Sequence, residues 1–314
     1  ADDPEAELIP MRVAVTGSSG FIGQALCERL RQAGHTVIRM VRSPSAQAED
    51  TCYWNPELRE IDEPRLAEAE AVVQLAGESV DGRWTLEKQR RIRESRVAGT
   101  RFLCERLAAQ PTPPKALVCA SAIGLYGNRG SEELTEPSGS GNGFLAEVVR
   151  DWEAAVEPLR NAETRIVQFR LGVVLDPSGG ALAKMLLPFR MGLGGKLGSG
   201  AQFWSWVSLR DVTRAFTQAL GSESWSGACN LTAPNPVTNL EFTRTLGRVL
   251  HRPTMFPVPE FALKLLFGEM AEGTILASLR VLPERLQTSG FTFEDSKLEP
   301  TLRALLRNSA NHAA

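Results

Sequence analysis

Residues 12–23 read Arg12-Val13-Ala14-Val15-Thr16-Gly17-Ser18-Ser19-Gly20-Phe21-Ile22-Gly23, and this stretch decides the fold. Its short β-branched beginning is typical of a buried parallel strand, and apolar residues follow at helical spacing. The three glycines allow a tight turn, close approach of a pyrophosphate to the backbone and close packing of helix on strand. Free N–H groups at the start of the helix favour phosphates. The stretch therefore predicts a dinucleotide site rather than an ordinary βα turn, formed by Gly17, Ser18, Ser19, Gly20, Phe21, Ile22 and Gly23.

Strand and helix patterns alternate along the chain beyond this stretch. We expect strands at 12–16, 36–41, 71–75, 115–120 and 165–168, and helices at about 21–33, 87–109 and 143–159. Such alternation is typical of a parallel sheet with helices on both faces. The predicted fold class is therefore α/β, a doubly wound parallel Rossmann sheet.

Composition excludes several classes of protein. The chain has 314 residues, 43% hydrophobic and 23% charged, which suits one large domain or one and a half. A net charge of −2 argues against nucleic acid as a partner. No apolar run approaches the roughly 18 to 20 residues of a membrane span, and no signal-peptide pattern is present. We expect no membrane association and a cytoplasmic location.

The cysteines and histidines give no sign of a metal site. The five cysteines are odd in number, widely separated and without CxxC or Cys/His spacing, and the chain holds only three histidines. Neither a disulfide framework nor a metal site is expected from this pattern.

The motifs resemble those of the extended short-chain dehydrogenase/reductase family. Residues 16–23 resemble its TGxxGxxG fingerprint, 75–77 its fourth-strand motif, 96–100 its NVxGT helix and 125–127 its VYG turn. The likeness runs from Met11 to about Pro300 and implies a nicotinamide cofactor.

The end of the second strand indicates which nicotinamide cofactor is favoured. An acid at this place binds the adenosine ribose hydroxyls, whereas an Arg accommodates a 2′-phosphate. Val41 occupies the acid position and Arg42 follows it. The pair favours NADP(H) over NAD(H), because a guanidinium can hold a phosphate with charge-assisted hydrogen bonds. The alternative is that Arg42 is a surface residue at a strand end.

Three further places could contact the cofactor. Leu75, Ala76 and Gly77 end a strand with small residues that would let the adenosine ribose approach, or they form a simple turn. Arg96 stands where the family motif carries Asn, and it could bond phosphate or ribose or lie exposed on its helix. Ser121 could contact the cofactor without acting as a proton relay.

The family's catalytic pair is missing. The resemblance calls for Tyr-x-x-x-Lys, in which the Lys lowers the pKa of the phenol. Phe144 stands at the Tyr position and Val148 at the Lys position, while Ala122 occupies the Ser position. Tyr126 belongs to the family's structural turn. No catalytic residue is assigned.

These departures resemble the atypical "epimerase family protein" branch, which carries a C-terminal domain of unassigned role; some members bear a cell-division-inhibitor label. The resemblance implies a small C-terminal lid domain. We expect a tail at 1–10, an NADP(H)-binding Rossmann domain at 11–234 with a substrate loop at 176–206, a lid partly interleaved with the sheet at 235–306, and a tail at 307–314.

Two classes of function stay open. The first is an epimerase-like NADP(H) oxidoreductase acting on an unidentified small carbonyl, alcohol or sugar-nucleotide-like substrate. The second is a non-catalytic NADP(H)-dependent sensor or regulatory protein. The aromatic cluster at 203–206 could stack a ring or be core, and Lys184, Arg190 and Lys196 could meet an anionic substrate or be merely exposed. A homodimer through the helices at 87–109 and 143–159 is a family expectation.

Overall fold

The computed structural model describes residues 9–43 and 48–311, so most of the predicted tail at 1–10 lies outside the described residues. The strands are β1 (Arg12–Thr16), β2 (Thr36–Val41), β3 (Thr51–Asn55), β4 (Glu60–Ile61), β5 (Ala71–Gln74), β6 (Ala116–Ala122), β7 (Glu133–Leu134), β8 (Arg165–Leu171), β9 (Val173–Asp176), β10 (Phe203–Trp204), β11 (Trp206–Ser208), β12 (Gly227–Leu231), β13 (Val237–Thr238) and β14 (Arg280–Val281). The α-helices are α1 (Phe21–Gln32), α2 (Glu63–Leu66), α3 (Leu86–Ala108), α4 (Phe144–Ala154), α5 (Gly180–Arg190), α6 (Leu209–Gly221), α7 (Asn239–Leu250), α8 (Glu260–Phe267), α9 (Glu284–Thr288) and α10 (Leu298–Asn311).

Eight strands form one sheet in the order β12-β8-β6-β5-β1-β2-β3-β4. All neighbouring pairs in it are parallel except β3 with β4, and β1 lies between β2 and β5. The chain adds β2 on one side of β1 and β5 on the other, so the strand order reverses there. Ligands of open α/β sheets bind beyond the carboxyl ends of the strands at such a switch point.

Successive side chains of a strand point to opposite sides of the sheet, and helices cover both sides. Val13 and Val15 pack with Leu26 of α1 and Phe216 of α6 in one apolar cluster, whereas Ala14 packs with Phe102 of α3 in another. The predicted α/β class with a doubly wound parallel sheet is confirmed.

The element boundaries differ from the sequence prediction in a few places. The strand predicted at 165–168 continues to Leu171, and the helix predicted at 143–159 ends at Ala154. A 3₁₀ turn over Glu157–Leu159 follows it, with Pro158 in its first turn. Proline cannot donate the backbone hydrogen bond that would continue an α-helix, so α4 stops before it.

The C-terminal region packs beside the carboxyl end of the sheet. In one apolar cluster Leu182 of α5 lies with Phe242 of α7 and with Leu298, Leu302 and Leu305 of α10. Helix α10 runs to Asn311, so the first five residues of the segment predicted as a tail at 307–314 are helical, and its last three lie outside the described residues. The boundary predicted at 234/235 stays a prediction. No helix in the described part of the chain is long and apolar enough to cross a bilayer.

Candidate functional site

The glycine-rich turn after β1 is built as tightly as the sequence predicts. Gly17 has φ +64°, and a Cβ on it would lie 3.0 Å from the amide nitrogen of Ala76. A Cβ on Gly23 would lie 2.1 Å from the carbonyl oxygen of Gly17. Thr16 Oγ1 accepts hydrogen bonds from the amides of Leu75 (3.0 Å) and Ala76 (3.1 Å), so β1 and β5 end side by side. The turn therefore leaves room only for backbone.

Helix α1 begins at this turn with its first amides directed outward. Gly20 is its N-cap, and in the described chain no side chain caps it and its first turn carries no acid. Ser18 is buried and Ser19 is exposed, with its carbonyl accepting from Gln24 Nε2 at 2.9 Å. An uncapped helix N-terminus of this kind attracts anions, because its N–H groups and dipole favour negative charge.

Phe21 and Ile22 point away from the turn in different directions. Ile22 is half-buried against the core. The ring of Phe21 packs on the loop after β9, where a Cβ on Gly179 would lie 2.4 Å from it and one on Gly180 3.1 Å. These two glycines let the start of α5 rest against the start of α1.

Val41 and Arg42 lie at the carboxyl end of β2, beside the turn. Val41 is half-buried and paired with Tyr53 of β3, while Arg42 is exposed. Its charge acts on Glu78, whose pKa is lowered by a 2.6 Å hydrogen bond from Lys88 and by the charges around it, Arg42 included. The end of β2 thus presents a cation where the sequence places it.

Arg96 lies under the turn after β5 rather than on the surface. Its guanidinium would be 3.1 Å from a Cβ on Gly77, lies 5.2 Å from the ring of Trp152 and donates to the carbonyl of Glu78 at 2.8 Å. Burial lowers the pKa of Arg96 to about 10, and among the described residues no carboxylate comes within ion-pair distance of it. A half-buried guanidinium without a carboxylate partner favours an incoming anion.

Ser121 is buried at the end of β6 and donates to Glu153 Oε1 at 2.6 Å. Arg170 of β8 donates hydrogen bonds to the same carboxylate from Nε and Nη2, each at 2.8 Å, and another to the Tyr126 hydroxyl at 2.9 Å. Tyr126 in turn donates to Asn230 at 2.7 Å, and burial raises its pKa. Ser121 and Tyr126 are therefore members of one buried polar network at the strand ends.

Sequence reasoning missed Glu153 as the centre of that network. The signal that could have found it is Arg170, an arginine inside an otherwise apolar strand, because a buried guanidinium requires a buried acceptor. Burial opposes the charge of Arg170, yet hydrogen bonds to Glu153 raise its pKa.

The positions of the missing catalytic pair are filled by packing. Phe144 contacts Trp84 edge-on with ring centres 5.2 Å apart, and Val148 is fully buried beside it. Glu147 and Asp151 of the same helix both face Arg93, the first at 3.7 Å. No proton donor takes the place of the Tyr or the Lys in this part of the structure.

A cavity of about 600 Å³ opens beyond the strand ends. Ile123 and Val173, which follow the carboxyl ends of β6 and β8, form part of its wall. The remaining wall comes from the loop at 80–82, from α5 and the segment at 193–205, from α7 and from residues 258–279. The loop predicted to face substrate and the C-terminal region therefore meet here.

The aromatic residues at 203–206 were expected either to stack on a ring or to belong to the core, and the structure divides them between the cavity wall and the core. Phe203 and Trp204 line the cavity, whereas Trp206 is fully buried in the core. Of the three cations considered in this region, Lys184 lines the cavity and pairs with Asp81 at 2.6 Å. Lys196 bonds the carbonyl of Ser199 at 3.2 Å, and Arg190 is exposed at the end of α5.

Comparison with known families matches residues 13–228 to the NAD dependent epimerase/dehydratase family. Residues 258–305 match a domain of unknown function, DUF1731. The second match covers the region that supplies one wall of the cavity.

Curated relatives resemble the chain over nearly its whole length. An epimerase family protein of Mycobacterium bovis is 42% identical over 291 residues, 92% of this chain and 96% of the relative. The chloroplastic SDR39U1 homolog of Arabidopsis thaliana is 39% identical over 311 residues, 95% of this chain and 87% of the relative.

Solved structures resemble it as well. The human epimerase family protein SDR39U1 (isoform 2), crystallised with NADPH, is 34% identical with a TM-score of 0.87, covering 95% of this chain and 100% of that one. A nucleoside-diphosphate sugar epimerase of Corynebacterium glutamicum is 35% identical with a TM-score of 0.78, covering 94% of this chain and 57% of that one. With the turn after β1, these matches show that the chain belongs to the NAD dependent epimerase/dehydratase family.

Proposed function

We propose that this chain binds NADP(H) at the turn after β1 and works as an epimerase-like oxidoreductase on a small carbonyl or alcohol. The observation that carries the proposal is the geometry of residues 17–23, the cofactor cradle. Gly17 and Gly23 leave space only for backbone, and the uncapped start of α1 faces this turn. Its similarity to human SDR39U1, crystallised with NADPH, supports the same assignment.

Different residues of the site would hold different parts of the cofactor. The amides of the first turn of α1 would hold the pyrophosphate, Ala76 and Gly77 would let the adenosine ribose approach β5, and Arg42 would bind the 2′-phosphate. Arg96 lies beside Gly77 and would add positive charge to the side of the site that the end of β5 forms. NADP(H), when bound, supplies a hydride to a carbonyl carbon or removes one from an alcohol.

Reduction of a carbonyl adds a hydride to its carbon and requires a proton at its oxygen. Phe144 and Val148 carry none, and Tyr126 is buried and committed to Asn230. The proton would come from water in the cavity. Ser121 and Glu153 join the ends of β6 and β8, and the contact of Ser121 with the cofactor stays a prediction.

Calorimetric titration with NADPH and NADH tests the proposal, followed by the 340 nm absorbance of bound NADPH against a panel of carbonyl compounds. Tighter binding of NADPH than NADH, with oxidation by at least one compound, is expected. If NADPH fails to bind, the proposal is refuted.

A second function has one observation in its favour. The positions of the catalytic Tyr and Lys are occupied by Phe144 and Val148, packed beneath Trp84. A non-catalytic sensor that reports NADP(H) occupancy to a protein partner needs no proton donor. Tight NADPH binding without turnover, together with cofactor-dependent association with a partner, would favour it. The expected homodimer and cytoplasmic location stay predictions.

A further inference from the structure

The wall of the 600 Å³ cavity is overwhelmingly hydrocarbon and aromatic. Side chains from α5, β10, α7, α8 and the segment after α8 supply it, namely Met185, Phe189, Trp204, Phe242, Leu263 and Met270. Its size lies within the roughly 300–1,000 Å³ that ligand pockets occupy. A pocket of this composition takes most of its binding free energy from apolar surface removed from water.

Most polar side chains of the wall are bonded to the protein, and the Thr243 hydroxyl is the exception among the described wall residues. Ser205 donates to the carbonyl of Leu279 and accepts from the amide of Val281, both at 2.8 Å. Asn239 accepts from the amide of Leu197 at 2.8 Å, and Thr274 donates to the carbonyl of Met270 at 2.6 Å. The several hydroxyls of a sugar would lose water here and find few matching partners, Thr243 among them, which is costly.

Asp81 and Lys184 are the ionisable side chains of the described wall, and they are paired with each other. Both are largely exposed, 64% and 60%, so the pair stands where the cavity meets solvent. A nucleoside diphosphate brings two or more negative charges that need unpaired cations or clustered amides. This wall offers one ammonium, already neutralised by a carboxylate.

We infer that the cavity binds an uncharged, largely hydrocarbon ketone, aldehyde or secondary alcohol, and that sugar nucleotides are not its substrates. The inference rests on the proposed function, since it names the class of compound that bound NADP(H) would reduce or oxidise. The apolar part of the substrate lies between α5 and the C-terminal region, and its oxygen-bearing end lies toward Ile123 and Val173 at the strand ends.

Binding of N-phenyl-1-naphthylamine, an uncharged fluorescent probe, tests the inference in the full chain saturated with NADP+, which cannot reduce the ketones used as competitors. We expect saturable binding and displacement by 2-alkanones from 2-hexanone to 2-dodecanone, with the inhibition constant falling about fourfold per added methylene until the cavity is full. UDP-glucose and UDP should not displace the probe. Displacement by UDP-glucose, or affinity independent of chain length, would overturn the inference.

Two cavity-filling variants and one control separate the cavity from the surface. Ala181→Phe on α5 and Val258→Phe in the C-terminal region each add a ring to the wall and should weaken the probe at least tenfold. Leu187→Phe changes a side chain of α5 that is 66% exposed and should leave the probe affinity within twofold. Equal affinities in all three would place the probe elsewhere and refute the inference.

The same experiment keeps the two proposals apart. The calorimetric affinity for NADPH should stay within threefold in Val258→Phe and Leu187→Phe, because neither residue adjoins Gly179 or Gly180, the glycines that contact Phe21. If NADPH binds but no apolar compound does, the cavity inference fails and the proposed function stands. If NADPH does not bind, the proposed function fails, and probe binding without cofactor still decides whether the cavity takes apolar ligands.

Discussion

Replacing Arg42 by Asp should convert a preference for NADPH into a preference for NADH. Arg42 is exposed at the end of β2, and no carboxylate pairs with it within 4 Å in the described chain; Glu78, the acid whose pKa its charge helps to lower, is bonded to Lys88 instead. The Arg42 guanidinium is therefore available to a 2′-phosphate, which NADH lacks.

The expected size follows from the position of Arg42. Hydrogen bonds to a charged group contribute about 1.5–3 kcal/mol, and exposure places this one near the lower end of that range. The introduced carboxylate adds a repulsion of about 1 kcal/mol if it lies roughly 6 Å from the phosphate dianion in water. Together these make about 2.5–3 kcal/mol, a loss of about 100-fold in NADPH affinity.

Calorimetric titration of the wild type, Arg42→Asp and Arg42→Met with both cofactors measures this. Arg42→Met removes only the attraction and should lose about tenfold for NADPH. NADH affinity should stay within threefold in both variants. Arg150→Asp, the same change of charge at an exposed position on α4, is the matched control and should alter neither affinity. Equal losses for NADPH and NADH in Arg42→Asp would refute the assignment of Arg42 to the 2′-phosphate.

Three other outcomes are expected. Arg96→Met should weaken NADPH and NADH alike by about tenfold in the same titration, since Arg96 lies beside Gly77, on the side of the site that the end of β5 forms for both cofactors; unchanged affinities would leave it a packing residue. Glu153→Ala leaves Arg170 buried without its carboxylate and should cost about 3–5 kcal/mol of unfolding free energy by urea denaturation, whereas a cost below 1 kcal/mol would contradict the buried ion pair. Burial raises the pKa of every thiol, to about 12 for Cys52 and Cys104 and to about 11 for Cys229. Ellman's reagent at pH 8 should therefore label the native chain slowly and the urea-unfolded chain at five sites. Rapid labelling of the native chain would contradict this.

The sheet could be predicted from the sequence because its central strands are short β-branched runs separated by helical patterns. The runs at 12–16 and 36–41 became β1 and β2 with those bounds. Strand β3, which reads Thr-Cys-Tyr-Trp-Asn, was not predicted. Strands near the edge of a sheet are less uniformly apolar, and their pairing depends on neighbours that the local sequence does not reveal.

The glycine-rich turn after β1 could be predicted because residues 17–23 are contiguous, whereas the cavity could not. Its wall combines segments between residues 80 and 279, and only the folded chain brings them together. The partner of Arg170 was hidden for a similar reason: an arginine in a strand indicates a buried acid, but the topology decides that Glu153 of α4 supplies it.

The contact of Phe21 with Gly179 and Gly180 joins two ligand sites mechanically. Phe21 opens the helix whose first amides face the cofactor, and the two glycines open α5, which contributes Ala181, Lys184 and Met185 to the cavity. A ligand that fixes one helix start thereby restricts the other. Such coupling is reciprocal, so the factor by which bound cofactor tightens substrate equals the factor by which bound substrate tightens cofactor. Under the proposed function, the cofactor and the compound in the cavity would therefore tighten each other's binding by the same factor, whichever of them binds first.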